Sequence, residues 1–260
     1  MSPDTVSPFL ERADESTLPT LGGMARPDGV VIASERFWAF AKRDGEVVEG
    51  SMPAPPRLAR SLPLVRGLVR LLASVSPLFR RDGITRKRER LLLTAALLAP
   101  CAFVLLSSTA SVVAGLVLTG ALLAWLLRGR TLYLHGAEHR AIAAAEGHAL
   151  AATWRGDERP SRFSLRCGTN FVALVLPVGI VADQLWPFTQ GLWTPLLLAA
   201  LTLGVSMELW RVVQGSSRRG ARAVLLPGLA LQRLTTREPT LDETRLALTA
   251  VASVLRREFT

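Results

Sequence analysis

Charged residues are missing from three long stretches of this 260-residue chain, 91–127, 167–182 and 184–207. A helix that crosses a bilayer needs roughly 20 apolar residues. With a mean hydropathy of +0.30, the sequence predicts four spans, which cover about 91–108, 111–127, 168–186 and 191–210. For the first stretch, one long tilted helix is the alternative to two spans, and Pro100 does not exclude it.

Lysine and arginine are absent from the short turns between the paired spans. Of the 31 basic residues, 15 lie in 1–90, seven in 128–166 and nine in 211–260. Because basic loops stay cytoplasmic, this pattern predicts a multi-pass protein of the cytoplasmic membrane with both termini cytoplasmic. The net charge of +10 then follows from this topology, and we expect the basic segments to attract the anionic headgroups of the lipid bilayer. No nucleic-acid-binding motif accompanies the charge, so we expect no nucleic-acid partner.

The region before the first span divides into three predicted segments. Residues 1–20 are expected to be a disordered tail. Residues 21–58 are expected to be a cytoplasmic β-hairpin region, because apolar runs flank the dipeptide Asp44-Gly45, which favours a tight turn. Residues 59–90 are expected to be an amphipathic helix at the membrane interface, followed by a basic segment.

The remaining chain is predicted to be helical. A membrane domain covers 91–222 and includes a cytoplasmic helix at 131–149, and 223–260 forms cytoplasmic or interfacial helices. The last of these begins at a capping box from Thr240 to Glu243. The predicted fold class is therefore mainly α: a polytopic membrane protein of about four transmembrane helices in two hairpins, plus the small β-hairpin region.

Histidine is scarce, and all three copies, His135, His139 and His148, lie within sixteen residues. On a helix over 131–149, His135, Glu138 and His139 share one stripe. Two imidazoles one turn apart can hold one Zn²⁺, and a glutamate between them can activate a water. The order H-x-x-E-H is the one found in inverzincin proteases. We expect His148 to be a solvated surface residue.

Cysteine is as scarce as histidine, and the two copies do not suggest a disulfide. Cys101 lies inside the first predicted span. Cys167 opens the third and Glu208 closes the fourth, so both are expected at the same membrane boundary as the histidines. A thiolate and a carboxylate are acceptable zinc ligands, which makes both residues candidates. The alternative is structural: Glu208 could pair with Arg211, and Cys167 could simply pack at a helix start.

Three segments carry a resemblance to a known family. "YLHGAEHRAI" (133–142), "RCGTNF" (166–171) and "PGLALQRLTTREP" (227–239) occur in that order, and "GGMARPDGVVI" (22–32) looks like a divergent copy of a fourth segment. The chain resembles the bacterial YqhQ-type membrane family of unknown function, for which a metal-dependent enzymatic activity has been suggested. The resemblance implies a location in the bacterial inner membrane and supports a divalent metal, Zn²⁺, as cofactor.

The chain also departs from the family pattern. Ser164 stands where the family has a histidine, Met24 where it has a glutamine, and Asp28 where it has a glutamate. If the missing histidine is a ligand in the family, this member could be diverged or inactive.

Two functions follow from these residues. In the first, the protein is a membrane-embedded hydrolase at the cytoplasmic interface. His135 and His139 bind zinc, Cys167 or Glu208 completes the ligand set, and Glu138 is the general base. In the alternative, the protein is a non-enzymatic scaffold or assembly factor and the histidine stripe is a packing face. A transporter would need polar residues near mid-membrane, and the spans contain Ser, Thr and Asn170 but no central charge. The substrate and any homo-oligomeric state are not set by the sequence.

Overall fold

The computed structural model describes residues 3–54, 61–80, 83–103, 105–189, 191–216 and 223–260. The chain forms two compact units. Unit 1 comprises Met1–Pro53, Leu126–Cys167 and Leu229–Thr260, and unit 2 comprises Ala54–Trp125 and Gly168–Gly228.

Unit 1 contains a four-stranded antiparallel sheet whose strands are neighbours in chain order. The strands are β1 (Gly22–Arg26), β2 (Gly29–Ala33), β3 (Phe37–Lys42) and β4 (Val47–Ser51). The predicted hairpin is present as the β3–β4 pair. Its turn contains Gly45 at φ 91°, a left-handed conformation that glycine adopts without a Cβ penalty. The β1–β2 pair was not predicted, because "GGMAR" has little β propensity.

Unit 1 also contains four whole helices, α1 (Pro3–Asp14), α5 (Thr131–Glu146), α6 (Leu150–Arg155) and α10 (Leu241–Glu258), and residues 229–235 of a fifth. Alternate residues of β2 and β3 meet apolar faces of α5 and α10 in a single core, which includes Ile32, Ala39, Leu134, Leu248 and Val251, all fully buried. The apolar periodicity of α5 and α10 therefore gives each helix a face that the sheet covers.

Helix α1 corrects one expectation. Residues 1–20 were expected to be disordered, but they include α1, whose Val6, Leu10 and Ala13 are at most 1% exposed. These three residues recur at helical spacing, and burying them in the core stabilises the segment.

The predicted start of the last helix is confirmed. Thr240 is the N-cap of α10, where its side chain accepts from the Glu243 N–H and the Glu243 side chain accepts from the Thr240 N–H. This reciprocal arrangement satisfies two backbone donors that a helix start leaves unpaired. It fixes the position at which the chain enters α10 from the preceding connection.

Unit 2 is helical in its described residues. It contains α2 (Val65–Phe79), α3 (Lys87–Phe103), most of α4 (Ser108–Leu126), α7 (Gly168–Gln184), α8 (Thr194–Gly215) and the start of α9 (Leu226–Thr235). Leu174, Val213 and Leu225 form a small buried cluster that packs against Trp210. An ion pair joins Arg66 of α2 to Glu208 of α8 at 2.5 Å.

The prediction of four membrane spans is wrong. Among the described residues one helical segment, Thr194–Gln214 with a mean hydropathy of 1.7, is long and apolar enough to cross a membrane. The apolar segments Thr109–Trp125 and Gly168–Gln184 are shorter, and α3 spends its first turn on Lys87, Arg88, Glu89 and Arg90. An uncharged run in the sequence measures composition, whereas a span also requires the length of one continuous helix.

Candidate metal centre

Helix α5 presents two histidines on one side. His135 and His139 are one turn apart, and their rings meet edge to face with centroids 4.5 Å apart. His139 is 2% exposed. Gly136 lies between them, and a Cβ at this position would stand 2.1 Å from the backbone oxygen of Arg237. The glycine therefore lets the chain after α9 lie directly on the histidine helix.

Each histidine is held through its Nδ1. The Nδ1 of His135 lies 2.9 Å from the carbonyl oxygen of Thr235, and the Nδ1 of His139 lies 2.7 Å from that of Arg162. A carbonyl oxygen can only accept, so each Nδ1 is the protonated nitrogen and donates. Each Nε2 therefore carries a lone pair, which is the tautomer that a metal-ligating histidine needs.

Cys167 completes a group of three. Its Sγ lies 3.4 Å from the Nε2 of His135, and one ligand atom from each of His135, His139 and Cys167 lies within 4.8 Å of the other two. Within the described part of the chain, the Nε2 of His139 is buried without a hydrogen-bond partner. A buried nitrogen lone pair without a donor is costly unless something binds it.

The electrostatics favour neutral imidazoles. Burial lowers the pKa of His135, although the hydrogen bond to Thr235 opposes the shift. Burial, followed by the charge that His135 can carry, lowers the pKa of His139 to about 4. Both rings are therefore neutral at physiological pH, the state in which an imidazole nitrogen binds a metal.

The donor set fits zinc. Two imidazole nitrogens and one thiolate are borderline-soft ligands, and zinc centres that perform catalysis use three protein ligands. The tautomers of both histidines are already fixed by backbone carbonyls, as in known zinc sites. A zinc ion here would bind the buried Nε2 of His139, which has no hydrogen-bond partner among the described residues.

The segment that carries Cys167 is anchored at several points. Arg140 of α5 donates from Nε to the carbonyl oxygen of Pro160 at 3.1 Å, and its Nη2 lies 2.5 Å from Glu238. Glu238 also lies 3.7 Å from the Nε of Arg162. Gln232 pairs with the backbone of Ser164 in both directions. These contacts hold the 160–167 segment against α5.

Glu138 points to the sheet. Its side chain packs where a Cβ on Gly23 would stand 2.8 Å from its Cγ, and it is 5% exposed. Burial raises the pKa of Glu138 to about 8, and a hydrogen bond from the backbone of Ala25 opposes the shift. The carboxyl group is therefore engaged by β1, and its role as general base stays a prediction.

The other sequence candidates lie elsewhere. Glu208 belongs to unit 2, where it accepts from the Nε of Arg66 at 2.8 Å and from the Leu64 N–H at 3.2 Å. Its role as a ligand stays a prediction. His148 is exposed, and its Nδ1 lies 2.8 Å from the carbonyl oxygen of Asp14.

Sequence reasoning missed the groups that orient the ligands. The carbonyls of Thr235 and Arg162 are backbone atoms, so no residue type marks them. Gln232 lies in one of the segments that carried the family resemblance, but a single amide in an apolar stretch gives no sign of its partner.

The fold and the site together define a mainly helical protein with a four-stranded sheet and a buried His–His–Cys cluster. The model of a protein family of unknown function, DUF1385, matches residues 95–257, and the chain belongs to this family. The uncharacterized protein YqhQ of Bacillus subtilis (strain 168) is 32% identical over 134 residues. These residues are 50% of this chain and 42% of YqhQ, so the chain spans less than half of that relative. No solved structure matches the chain.

Proposed function

We propose that the protein is a zinc-dependent hydrolase whose metal is held by His135, His139 and Cys167, and that it acts at the cytoplasmic face of a membrane. The observation that carries the proposal is the convergence of one ligand atom from each residue within 4.8 Å. The Nδ1 bonds support it, because they leave each Nε2 unprotonated and able to coordinate.

Zinc in such a site supplies Lewis acidity, which polarises a carbonyl or phosphoryl oxygen and makes water nucleophilic at neutral pH. The chain's own part is to present the donors and keep them oriented. The backbone carbonyls of Thr235 and Arg162 hold the rings, and the burial of His139 and Cys167 strengthens the electrostatic interactions within the cluster. Burial raises the pKa of Glu138 to about 8 and its side chain lies against β1, so its part as a general base is the least supported element of the proposal.

The membrane part of the proposal rests on exposed apolar surface in unit 2. Only 22% of the most apolar window of α8 is buried, and leucines on other helices are more than half exposed, among them Leu91, Leu116 and Leu176. Soluble monomers rarely expose large apolar patches, so exposed leucines on several helices favour contact with lipid. We place the protein in the bacterial cytoplasmic membrane, with anionic lipids as partners of its basic segments.

A zinc titration tests the metal site. Purified protein stripped of metal is titrated with Zn²⁺ against a chromophoric chelator, beside Cys167→Ser and Cys101→Ser. We expect one site per chain, at least tenfold weaker in Cys167→Ser and unchanged in Cys101→Ser, because only Cys167 is in the cluster. Equal affinities in all three proteins would remove Cys167 from the site.

A scaffold is the second candidate. The histidine bonds to Thr235 and Arg162 also join α5 to the end of α9 and to the 160–167 segment. Such bonds specify a fold without any ion. If folded wild-type protein takes up no zinc in the titration, the scaffold function remains and the hydrolase function is ruled out.

A further inference from the structure

The side chain of Gln232 is fully buried at 0% exposure, and its amide pairs with one peptide unit in both directions. The Ser164 N–H donates to its Oε1 at 2.9 Å, and its Nε2 donates to the Ser164 carbonyl oxygen at 2.7 Å. The amide therefore acts on this segment as a neighbouring strand would, because it satisfies the donor and the acceptor of the same residue.

The segment that Gln232 anchors carries two groups that contact the histidines, a backbone carbonyl and a thiol. Two residues before Ser164, the carbonyl oxygen of Arg162 accepts from His139. Three residues after Ser164, the Sγ of Cys167 contacts His135. A shift at Ser164 would therefore move a histidine's orienting group and the thiol together.

The same turn of α9 also orients the other histidine. Thr235 lies three residues after Gln232, and its carbonyl oxygen accepts from His135. One helical turn thus fixes His135 directly and the segment of Cys167 through Gln232. The backbone of α9 therefore orients His135, and the amide of Gln232 fixes the segment of Cys167 relative to it.

We infer that Gln232 is a positioning residue of the metal centre, which sets Cys167 at bonding distance through the backbone of Ser164. This inference rests on the proposed function. An amide is required because it both donates and accepts. A glutamate would keep the bond from the Ser164 N–H but would face the Ser164 carbonyl with a second acceptor. A methionine would fill the same volume and lose both bonds.

Cobalt spectroscopy tests the inference. Metal-free protein is loaded with Co²⁺, whose thiolate charge-transfer band reports the bond to Cys167 and whose visible bands report the coordination number. The variants are Gln232→Met, Gln232→Glu and Thr236→Val. The last is a matched control, since Thr236 is also 0% exposed and its Oγ1 donates to the Gln232 carbonyl oxygen at 2.7 Å rather than to the segment of Cys167.

We expect Gln232→Met to weaken Co²⁺ binding about 10- to 100-fold, as loss of an orienting partner does in other metal sites, and to reduce the charge-transfer band at saturation. Gln232→Glu should fall between Gln232→Met and the wild type. Thr236→Val should bind as the wild type does, even if it is less stable. If Gln232→Met keeps the affinity and band of Thr236→Val, the inference is overturned while the zinc site stands.

A second readout separates this result from failure of the proposed function. If wild-type protein shows no cobalt bands, the metal proposal fails, and the placement of Cys167 is read from alkylation of metal-free protein in a Cys101→Ser background. Cys167 is 6% exposed. Severalfold faster alkylation by iodoacetamide in Gln232→Met than in Thr236→Val supports positioning by Gln232, and equal rates overturn it.

Discussion

At the residue scale, the candidate centre consists of the side chains of His135, His139 and Cys167 and of two backbone carbonyl oxygens that orient the histidines. Helical spacing predicted His135 and His139, and ligand chemistry together with an expected shared membrane boundary predicted Cys167 and Glu208. The ligand atoms of His135, His139 and Cys167 converge, whereas Glu208 pairs with Arg66. The boundary was inferred from spans that the structure does not support, so it could not separate Cys167 from Glu208.

Glu138 offers a prediction about pH. Its folded pKa of about 8 lies above the ordinary value, so the folded state keeps a proton that the unfolded state releases. Stability from this group is complete below pH 4.5 and falls as pH rises through 8. The free energy of unfolding of metal-free Glu138→Gln, relative to that of the wild type, is expected to rise by about 2 kcal/mol from pH 6.5 to pH 8.

The measurement is urea unfolding of both proteins across that range, and the contribution of His139 cancels because both proteins contain it. Glu146→Gln is the matched control, because Glu146 is exposed on the same helix and its ion pair with Arg166 is solvated. A stability difference between Glu138→Gln and wild type that does not change with pH would mean that Glu138 is ionised in the fold, as a general base would be.

At the element scale, local signals predicted well and non-local ones did not. The helix that carries the histidines and the capped start of α10 follow from patterns within a few residues. The hairpin at Asp44-Gly45 is also local. Helix α1 could not be predicted, because its stability comes from packing its apolar residues into a core assembled from distant segments.

The close approach at Gly136 gives a prediction for this scale. In Gly136→Ala the new methyl group would meet the Arg237 carbonyl oxygen at 2.1 Å, so the connection from α9 to α10 must shift. We expect a loss of about 2 kcal/mol or more in unfolding free energy. Gly120→Ala is the control, since nothing lies within 4 Å of that position in α4, and helix propensity makes it neutral or stabilising. Similar urea midpoints for both variants would contradict the packing.

At the scale of the whole molecule, the order of segments in unit 1 constrains any membrane topology. Residues of 1–53, 126–167 and 229–260 share this unit, and side chains from all three share its core. The chain therefore leaves this core and returns to it twice, and both excursions begin and end on the same side of any membrane. The expectation of two cytoplasmic termini stays a prediction, and the predicted spans were wrong.

This constraint predicts a labelling pattern. Single cysteines at Ser161 and Thr260, in a background without Cys101 and Cys167, should react with a membrane-impermeant maleimide in inside-out vesicles and not in intact spheroplasts. Both positions are exposed. Vesicles should also retain the protein after carbonate extraction. Opposite labelling of the two positions would contradict the single core, and full release by carbonate would contradict the membrane proposal.

Metal content decides whether His135, His139 and Cys167 form a metal centre. Protein purified without chelator is measured by mass spectrometry beside the double variant His135→Ala, His139→Ala and the control His148→Ala. We expect about one Zn²⁺ per chain in the wild type and in His148→Ala, because His148 lies outside the cluster, and none in the double variant. Zinc retained by a folded double variant, or absent from all three folded proteins, would mean that these residues do not form a zinc site.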